Sequence, residues 1–206
     1  DNGYNVFTVT FAPFQTLRCL DQIKVDLAYS NIKVTMTGLA SGLINGPLGN
    51  THCCIEDVGA LRSIPNLTIL SPADGVGIVK AVFASAESDQ PIFIRLTGGS
   101  NNPIVYHDDI NFQIGEAIEI ETGNDLTIFA TGTMVFNSLQ AAKILAQKGI
   151  SASVWDMHTI KPIDEAAVRK AADKNQLIVT VEEHNVFGGL SSAVSEYLSF
   201  YKSSPS

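Results

Sequence analysis

The sequence predicts an α/β protein of two three-layer units with mainly parallel sheets. Near-continuous apolar strands such as "PIFIRLT" (residues 91–97) alternate with amphipathic helical patterns such as residues 73–87. This alternation is typical of parallel sheets that helices cover on both faces. A stretch rich in Gly, Asn, Pro and Asp at residues 98–113 interrupts the alternation, which then restarts. The interruption predicts a linker between two domains.

The first unit begins with a strand, and its helices and strands then follow in turn. Apolar and β-branched residues predict that this strand is buried. Pro13 lies in the first turn of the following helix, where proline is tolerated. The predicted elements are a strand at 5–11, a helix at 13–30, a strand at 32–38, a Gly-rich loop at 38–56, a helix at 57–64, a strand at 66–72, a helix at 73–87 and a strand at 91–97.

The second unit repeats the strand and helix pattern after the linker. Gly149 ends one predicted helix and Asp164 is the predicted N-cap of the next. The predicted elements are strands at 126–132, 150–157 and 177–183, and helices at 134–149, 164–175 and 189–200. We therefore expect a first domain at residues 1–99, a linker at 100–115 and a second domain at 116–206.

Composition excludes several functional classes. A net charge of −8 argues against a surface for nucleic acid or anionic membranes. No apolar run approaches the ~20 residues of a membrane span. The three cysteines, Cys19, Cys53 and Cys54, form neither a disulfide framework nor a zinc-ligand pattern. We expect a cytoplasmic protein without a metal site of its own.

The Gly-rich loop carries the strongest functional signal in the residues themselves. Ligands of open parallel sheets lie beyond the carboxyl ends of strands, and this loop follows a strand. His52 closes the loop and is well placed as a general acid or base, or as a group that binds a hydroxyl. A second interpretation is that His52 caps the next helix. For Cys53 and Cys54 we favour packing roles.

Two further turns invite a functional interpretation. In "VEEHNVFGGL" (residues 181–190), a glycine pair opens a helix and is able to cradle an anion. Turn geometry and domain contact are the favoured interpretation, because the motif matches no phosphate-binding signature. The segment "MHTIKPID" (residues 157–164) similarly predicts a strand-to-helix turn.

Several motifs together resemble the C-terminal half of transketolase. They are "TFAPFQTLRCLDQI", "GPLGNTHCCIEDVGALRSIPNLTILSPAD", "PIFIRL", "LTIFATGTMV", "HTIKPID" and "VTVEEHNVFGGL". The resemblance extends to deoxyxylulose-phosphate synthases and to the C-terminal subunits of two-chain bacterial transketolases. It implies an incomplete thiamine pyrimidine-binding domain followed by a transketolase C-terminal domain.

The resemblance implies transfer of a two-carbon ketol unit between sugars through a thiamine diphosphate ylide. In this family the cofactor lies between two polypeptide surfaces, and Mg²⁺ is bound mainly by the diphosphate domain. That domain is missing from this sequence. We therefore expect a homodimer, or a complex with a diphosphate-domain chain, and an inactive chain when it is alone.

The resemblance also assigns site residues. Phe11, Phe14 and Arg18 fall at cofactor-binding positions, where the rings face the aminopyrimidine. The alternative is that both phenylalanines are core residues. His52 falls on a catalytic and substrate-binding histidine, and Arg95 lies near the position of a phosphate-binding arginine. The glutamate that activates the cofactor belongs upstream of Asp1.

The chain departs from the family at three substrate positions. A family histidine falls on Ala40, an aspartate on Leu48, and the phosphate-binding arginine near Gly98. These losses predict a less polar pocket that prefers an unphosphorylated or nucleotide-linked sugar. Two alternative functions stay open, a 2-oxo-acid dehydrogenase β subunit and a non-catalytic interaction protein.

Overall fold

A computed structural model describes residues 3–174 and 177–203 of the chain. It confirms an α/β fold with two mainly parallel sheets. The strands are β1 Val6–Phe11, β2 Val34–Ser41, β3 Thr68–Leu70, β4 Ile92–Thr97, β5 Ile118–Glu121, β6 Leu126–Ala130, β7 Ala152–Asp156, β8 Thr159–Lys161 and β9 Ile178–Val181. The α-helices are α1 Ala12–Gln15, α2 Leu20–Gln22, α3 Asp57–Arg62, α4 Gly75–Glu87, α5 Met134–Ala146, α6 Glu165–Lys174 and α7 Leu190–Ser203.

The first sheet has the strand order β1-β2-β4-β3-β8. Its first four strands are parallel, and β8 pairs antiparallel with β3. Because β8 follows β7 of the second sheet in the chain, the two domains share a strand. The segment that contains β8 was predicted as a turn only, since three residues are too few to show a strand pattern.

Strand β1 was predicted to be buried, and this prediction is wrong. Val9 is 61% exposed, and Val6 and Phe7 are also exposed. The reason is its position at the edge of the sheet, where β2 is its single hydrogen-bonded neighbour among the described strands. The apolar composition of β1 was interpreted correctly as a strand signal, but it does not report coverage.

The single helix predicted at residues 13–30 is also wrong. Helix α1 ends at Gln15, a 3₁₀ turn follows at Leu17–Cys19, and a π-helical segment at Ile23–Ala28 follows α2. At the first break, the Thr16 hydroxyl donates a hydrogen bond to the Ala12 carbonyl oxygen at 2.7 Å. Such local side-chain bonds compete with regular helix.

The second sheet has the strand order β5-β7-β6-β9, with β5 antiparallel to β7. The Asp164 carboxylate accepts from the Ala167 amide at 2.9 Å, which confirms the predicted N-cap. Gly149 has a φ of +76°, as expected after a helix end. The predicted end of α6 at Asn175 lies outside the described residues. Strand β5 was not predicted, because its sequence alternates directly after the stretch interpreted as linker.

The cores of the two domains meet at the shared strand. Ile160 of β8 packs in the core of the first domain with Phe93 and Ile69. Phe129 and Trp155 organise the core of the second domain. Lys161 then donates to the carbonyl oxygens of Arg62 and Ile64, which ties β8 to the end of α3.

Neither a membrane-spanning helix nor a metal cluster is present in the described part of the chain. No helix at residues 3–174 or 177–203 is long and apolar enough to cross a bilayer. Within the same ranges, no group of three or more His, Cys, Asp or Glu side chains is placed to hold a metal ion.

Candidate functional site

Three rings meet where β1 gives way to α1. The Phe11 and Phe14 centroids lie 6.2 Å apart, and His52 lies 5.5 Å from Phe11 and 5.1 Å from Phe14. All three pairs are edge-to-face, with interplanar angles of 69–80°, an arrangement that aromatic rings favour. We call Phe11, Phe14 and His52 the aromatic cluster. The fold thus joins two segments that are far apart in sequence.

Arg18 extends the aromatic cluster on one side. Its guanidinium carbon lies 4.3 Å from the centroid of the Phe14 ring, within the range of a cation–π contact. The Arg18 side chain is exposed, whereas Phe14 is half-buried. Four of the five predicted site residues therefore lie together at the carboxyl end of β1.

His52 reaches the aromatic cluster from a closed loop. Gly42 and Cys54 exchange backbone hydrogen bonds of 2.7 and 2.9 Å, which join the two ends of residues 42–54. We call residues 42–54 the site loop. It is shorter than the predicted loop, because β2 continues to Ser41, and it contains a 3₁₀ segment at Gly46–Thr51.

The local geometry of His52 defines what it is able to do. Its Nδ1 atom lies 3.0 Å from the Thr51 hydroxyl oxygen. Its ring is half-buried between the two phenylalanines. An imidazole held in this way is able to exchange a hydrogen bond or a proton with a ligand beside the rings. Helix α3 begins five residues later, at Asp57, with no side-chain cap. The capping interpretation of His52 is therefore not favoured.

The backbone is strained just before the site loop. Ala40 has a φ of +52°, in the left-handed region that side chains other than glycine rarely adopt. Residues in such conformations cluster at functional sites. Gly42, with a φ of +89°, follows two residues later. The turn therefore fixes the direction in which the site loop leaves β2.

Arg95 does not join the aromatic cluster. It is 1% exposed, and its Nε atom donates to Asp57 Oδ2 at 2.8 Å. A terminal nitrogen donates to the Glu183 carbonyl oxygen, also at 2.8 Å. Because these partners occupy the guanidinium inside the protein, the geometry favours a structural role. Substrate contact by Arg95 stays a prediction that this arrangement does not support.

The segment that contains the glycine pair connects the two domains. Arg62 donates to the Gly188 carbonyl oxygen at 2.9 Å, and Glu182 accepts from the first amides of α7. The backbone of Gly188 lies so close to Gly59 that a Cβ atom on Gly188 would be 2.6 Å from the Gly59 Cα. These contacts agree with the favoured interpretation, turn geometry and domain contact.

Sequence reasoning missed two residues of this segment. Glu183 accepts a hydrogen bond from the Leu43 amide, and Asn185 donates to the Ile55 carbonyl oxygen. Both side chains reach from the second domain to an end of the site loop. The residues of "EEHN" were visible, but the 140 positions between Leu43 and Glu183 hid their contact.

A cavity of about 410 Å³ lies between the domains beside the site loop. Its lining is polar and mostly uncharged, and Glu183 is the one ionisable side chain among the described residues that form it. The lining residues are Ile44, Gly98, Gly99, Ser100, Asn101, Asn102, Pro103, Thr133, Asn137 and Glu183. The cavity therefore offers hydrogen-bonding groups and a carboxylate.

The cysteines behave as packing residues. All three are free thiols. Burial, and then the nearby Asp57 carboxylate, raise the pKa of Cys54 to about 12. A thiol with this pKa stays protonated at neutral pH and is a poor nucleophile. This agrees with the packing role expected for Cys54.

The aromatic cluster fits a planar heterocycle. Phe11 is 37% exposed and Phe14 is half-buried, so part of each ring is available to a ligand. Leu43 and Leu48 of the site loop are also exposed. An aminopyrimidine ring needs an apolar surface of this kind and an edge-to-face or stacked partner.

Comparisons with known proteins agree with this geometry. The transketolase pyrimidine-binding domain family matches residues 1–102, and the transketolase C-terminal domain family matches residues 115–203. One of the two subunits of an apulose-4-phosphate transketolase from Phocaeicola vulgatus is 42% identical over 199 residues, which are 96% of this chain and 64% of the relative. A 6-deoxy-6-sulfo-D-fructose transketolase subunit from Clostridium sp. (strain MSTE9) is 40% identical over 93% of this chain and 59% of the relative.

A solved structure described as a split gene transketolase, inactive beta4 tetramer, superposes with a TM-score of 0.88. It is 37% identical in sequence, and the match covers 97% of this chain and 64% of that chain. The present chain thus spans about three-fifths of the length of these relatives. The matched domains and the shared fold establish that this chain belongs to the transketolase family, of which it contains the pyrimidine-binding and C-terminal domains.

Proposed function

We propose that this chain is the pyrimidine-side half of a transketolase-like enzyme that transfers a two-carbon ketol unit between sugars. The observation that carries the proposal is the aromatic cluster at the carboxyl end of β1. It offers a partly open apolar surface and an imidazole within one site. The transketolase relatives favour ketol transfer over a 2-oxo-acid dehydrogenase β subunit or a non-catalytic interaction protein.

Thiamine diphosphate, when bound, would supply the nucleophilic carbon and the electron sink for cleavage of the bond next to a ketose carbonyl. Phe11 and Phe14 would pack against its aminopyrimidine ring. Arg18 would hold the Phe14 ring by its cation–π contact. Together, these side chains would orient the ring and exclude water from one of its sides.

His52 would act on the sugar. Its imidazole lies against both phenylalanine rings, so a sugar carbon near the cofactor would bring hydroxyl groups within its reach. There it would bind a hydroxyl group or hold the proton that the hydroxyl gives up. Its contact with the Thr51 hydroxyl restricts the orientation of the ring.

A partner chain completes the proposed site. The relatives are named as subunits, and the split transketolase structure is described as an inactive tetramer. These descriptions support a protein that needs a second chain, with the diphosphate and Mg²⁺ bound mainly there. We propose either a complex with a diphosphate-domain chain or a homodimer. A cytoplasmic location stays a prediction.

A calorimetric titration tests the shared site. This chain alone should show no appreciable binding of thiamine diphosphate with Mg²⁺, whereas its complex with a diphosphate-domain chain should bind the cofactor and transfer ketol units. Micromolar binding to the chain alone would show that the partner surface is not needed. A complex that binds the cofactor but transfers no ketol unit would contradict the proposed reaction.

A further inference from the structure

We propose that Glu183 and Asn185 of the second domain are positioning residues that hold the site loop, and with it His52, in place. They lie two positions apart, yet they hold opposite ends of the site loop. Glu183 contacts its beginning and Asn185 contacts the residue directly after its end. The second domain would therefore control the geometry of a site that lies on the first domain.

The contact at the beginning of the site loop is short and close-packed. Glu183 Oε1 accepts from the Leu43 amide at 2.7 Å, a charge-assisted hydrogen bond. A Cβ atom on Gly42 would collide with the carboxyl carbon of Glu183. Gly42 also has a φ of +89°. Glycine at this position thus allows the carboxylate to approach the backbone.

The contact at the other end uses two donors. The backbone amide of Asn185 donates to the Ile55 carbonyl oxygen at 2.9 Å, and its Nδ2 atom donates to the same oxygen at 2.6 Å. The Oδ1 atom of Asn185 accepts from the Phe187 amide at 2.7 Å. This third bond fixes the orientation of the side-chain amide, so that its donors face Ile55.

The two holding residues are themselves fixed to the core. Arg95 donates to the Glu183 carbonyl oxygen, and Arg95 is paired inside the protein with Asp57 at 2.8 Å. The Gly59 amide lies 3.3 Å from Nε2 of His184, which stands between the two holding residues in sequence. Displacement of Glu183 or Asn185 would therefore disturb buried hydrogen bonds, which makes the segment a firm support.

The middle of the site loop has little other support. Leu43, Ile44 and Leu48 are each about half exposed, and the loop between its ends packs no large side chain into the described core. A loop of this kind takes its order from its ends. Release of one end would allow His52 to leave Phe11 and Phe14, which the proposed function requires it to face.

Hydrogen–deuterium exchange on this chain tests the inference without any activity. Glu183→Ala should speed the exchange of amides in residues 43–52 by about tenfold, the effect of losing one charge-assisted hydrogen bond. Glu183→Gln keeps a carbonyl oxygen for the Leu43 amide and should restore most of the protection. Asn185→Asp, which loses the Nδ2 donor, should speed exchange at Ile55 and in the adjoining residues of the loop.

Glu182→Ala is the matched control. The neighbouring carboxylate accepts from the Leu190 and Ser191 amides at the start of α7, away from the site loop. This variant should loosen α7 and leave the exchange of residues 43–52 unchanged. Wild-type exchange rates in the loop of Glu183→Ala would overturn the inference, as would an equal rise across both domains.

A second measurement uses the assembled enzyme and rests on the proposed function. Glu183→Ala should raise the KM for the sugar about tenfold, through a misplaced His52, and leave the affinity for thiamine diphosphate unchanged. An unchanged KM would contradict the positioning role. A wild-type complex without ketol transfer would refute the proposed function alone, because the exchange measurement decides the inference independently.

Discussion

The imidazole of His52 meets the ring of Phe14 edge to face, with centroids 5.1 Å apart and planes inclined by 72°. The two residues come from different segments, one after β1 and the other from the site loop. Their contact shows how the fold unites the proposed cofactor surface with the proposed sugar-binding group. A change at Phe14 should therefore affect both functions of the site.

Phe14→Ala should weaken binding of thiamine diphosphate to the complete complex by about 1–3 kcal/mol, because apolar burial and ring contact with the heterocycle are both lost. The free energy of unfolding should change less, because Phe14 is half-buried at the start of a short helix. Calorimetric titration and urea denaturation measure the two quantities.

Phe83→Ala provides the control for loss of an aromatic side chain. Phe83 is 66% exposed on α4 and contributes no ring to the aromatic cluster. Its removal should leave the cofactor dissociation constant unchanged. A Phe14→Ala protein that unfolds while its cofactor affinity persists would show that Phe14 is a core residue.

Arg95→Met should destabilise the protein by about 3–5 kcal/mol, because Asp57 would keep a buried charge without its partner. Replacing Asp57 by leucine in the same protein should recover part of this loss. Urea denaturation of the single and double variants measures it. Lys80→Ala breaks the exposed pair with Asp109 and should change stability much less.

A stable Arg95→Met protein would contradict the structural role. If that protein also lost efficiency on phosphorylated sugars, Arg95 would have to reach the substrate, as the family resemblance suggests. The two roles thus predict opposite results for stability. This separates them before any assay of activity.

The sequence shows most of the fold because its strands and helices carry strong local patterns. Strand β4 and helix α4 follow from periodicity, and the role of Asp164 follows from its capping chemistry. The exposure of β1 and the transfer of β8 to the first sheet do not follow. Both depend on which strands become neighbours, and local pattern contains no information on that.

The proposed site divides in the same way. Phe11, Phe14 and His52 were recognisable from turn position, loop setting and family resemblance. The burial of Arg95 was not, because nothing in the residues around it reveals that Asp57 would lie beside its guanidinium. Contacts between distant segments, such as Glu183 with Leu43, need the folded chain.

Asp156 should make the stability of the protein depend on pH. Burial, opposed by the hydrogen bond from Tyr106 and assisted by the Asp74 charge, raises the pKa of Asp156 to about 7. The folded state therefore keeps a proton that the unfolded state loses near the ordinary pKa of 3.8. Stability should fall as the pH rises from about 4 to about 7 and then level off, because each pKa unit is worth about 1.4 kcal/mol.

Asp156→Asn isolates this contribution. The variant keeps an oxygen for the Tyr106 hydroxyl, which donates to Asp156 Oδ2 at 2.8 Å in the wild type, but it has no carboxyl proton to lose. The difference in unfolding free energy between variant and wild type should move in favour of the variant as the pH rises from about 4 to about 7. Urea denaturation at several pH values measures it. A constant difference would mean that Asp156 does not titrate in this range.

The last prediction concerns the substrate. A sugar phosphate needs fixed cationic donors, and a bidentate arginine is the usual means. Gly98 and Gly99 line the interdomain cavity at the position where the family has that arginine, and the described residues that line it include no lysine or arginine. Glu183 adds a carboxylate, and Ala40 and Leu48 replace a family histidine and aspartate.

We therefore expect the complete enzyme to use ribose 5-phosphate and xylulose 5-phosphate poorly and to prefer an unphosphorylated or nucleotide-linked sugar. Loss of one charged hydrogen bond costs about 1.5–3 kcal/mol, or roughly ten- to more than a hundredfold in affinity. The measurement compares kcat/KM for phosphorylated and unphosphorylated acceptors in the wild type and in Arg95→Ala. High efficiency on phosphates that Arg95→Ala abolishes would show that Arg95 replaces the missing arginine. High efficiency that survives the substitution would show that another residue, on this chain or its partner, supplies the cation, and in both cases our interpretation of the pocket would be wrong.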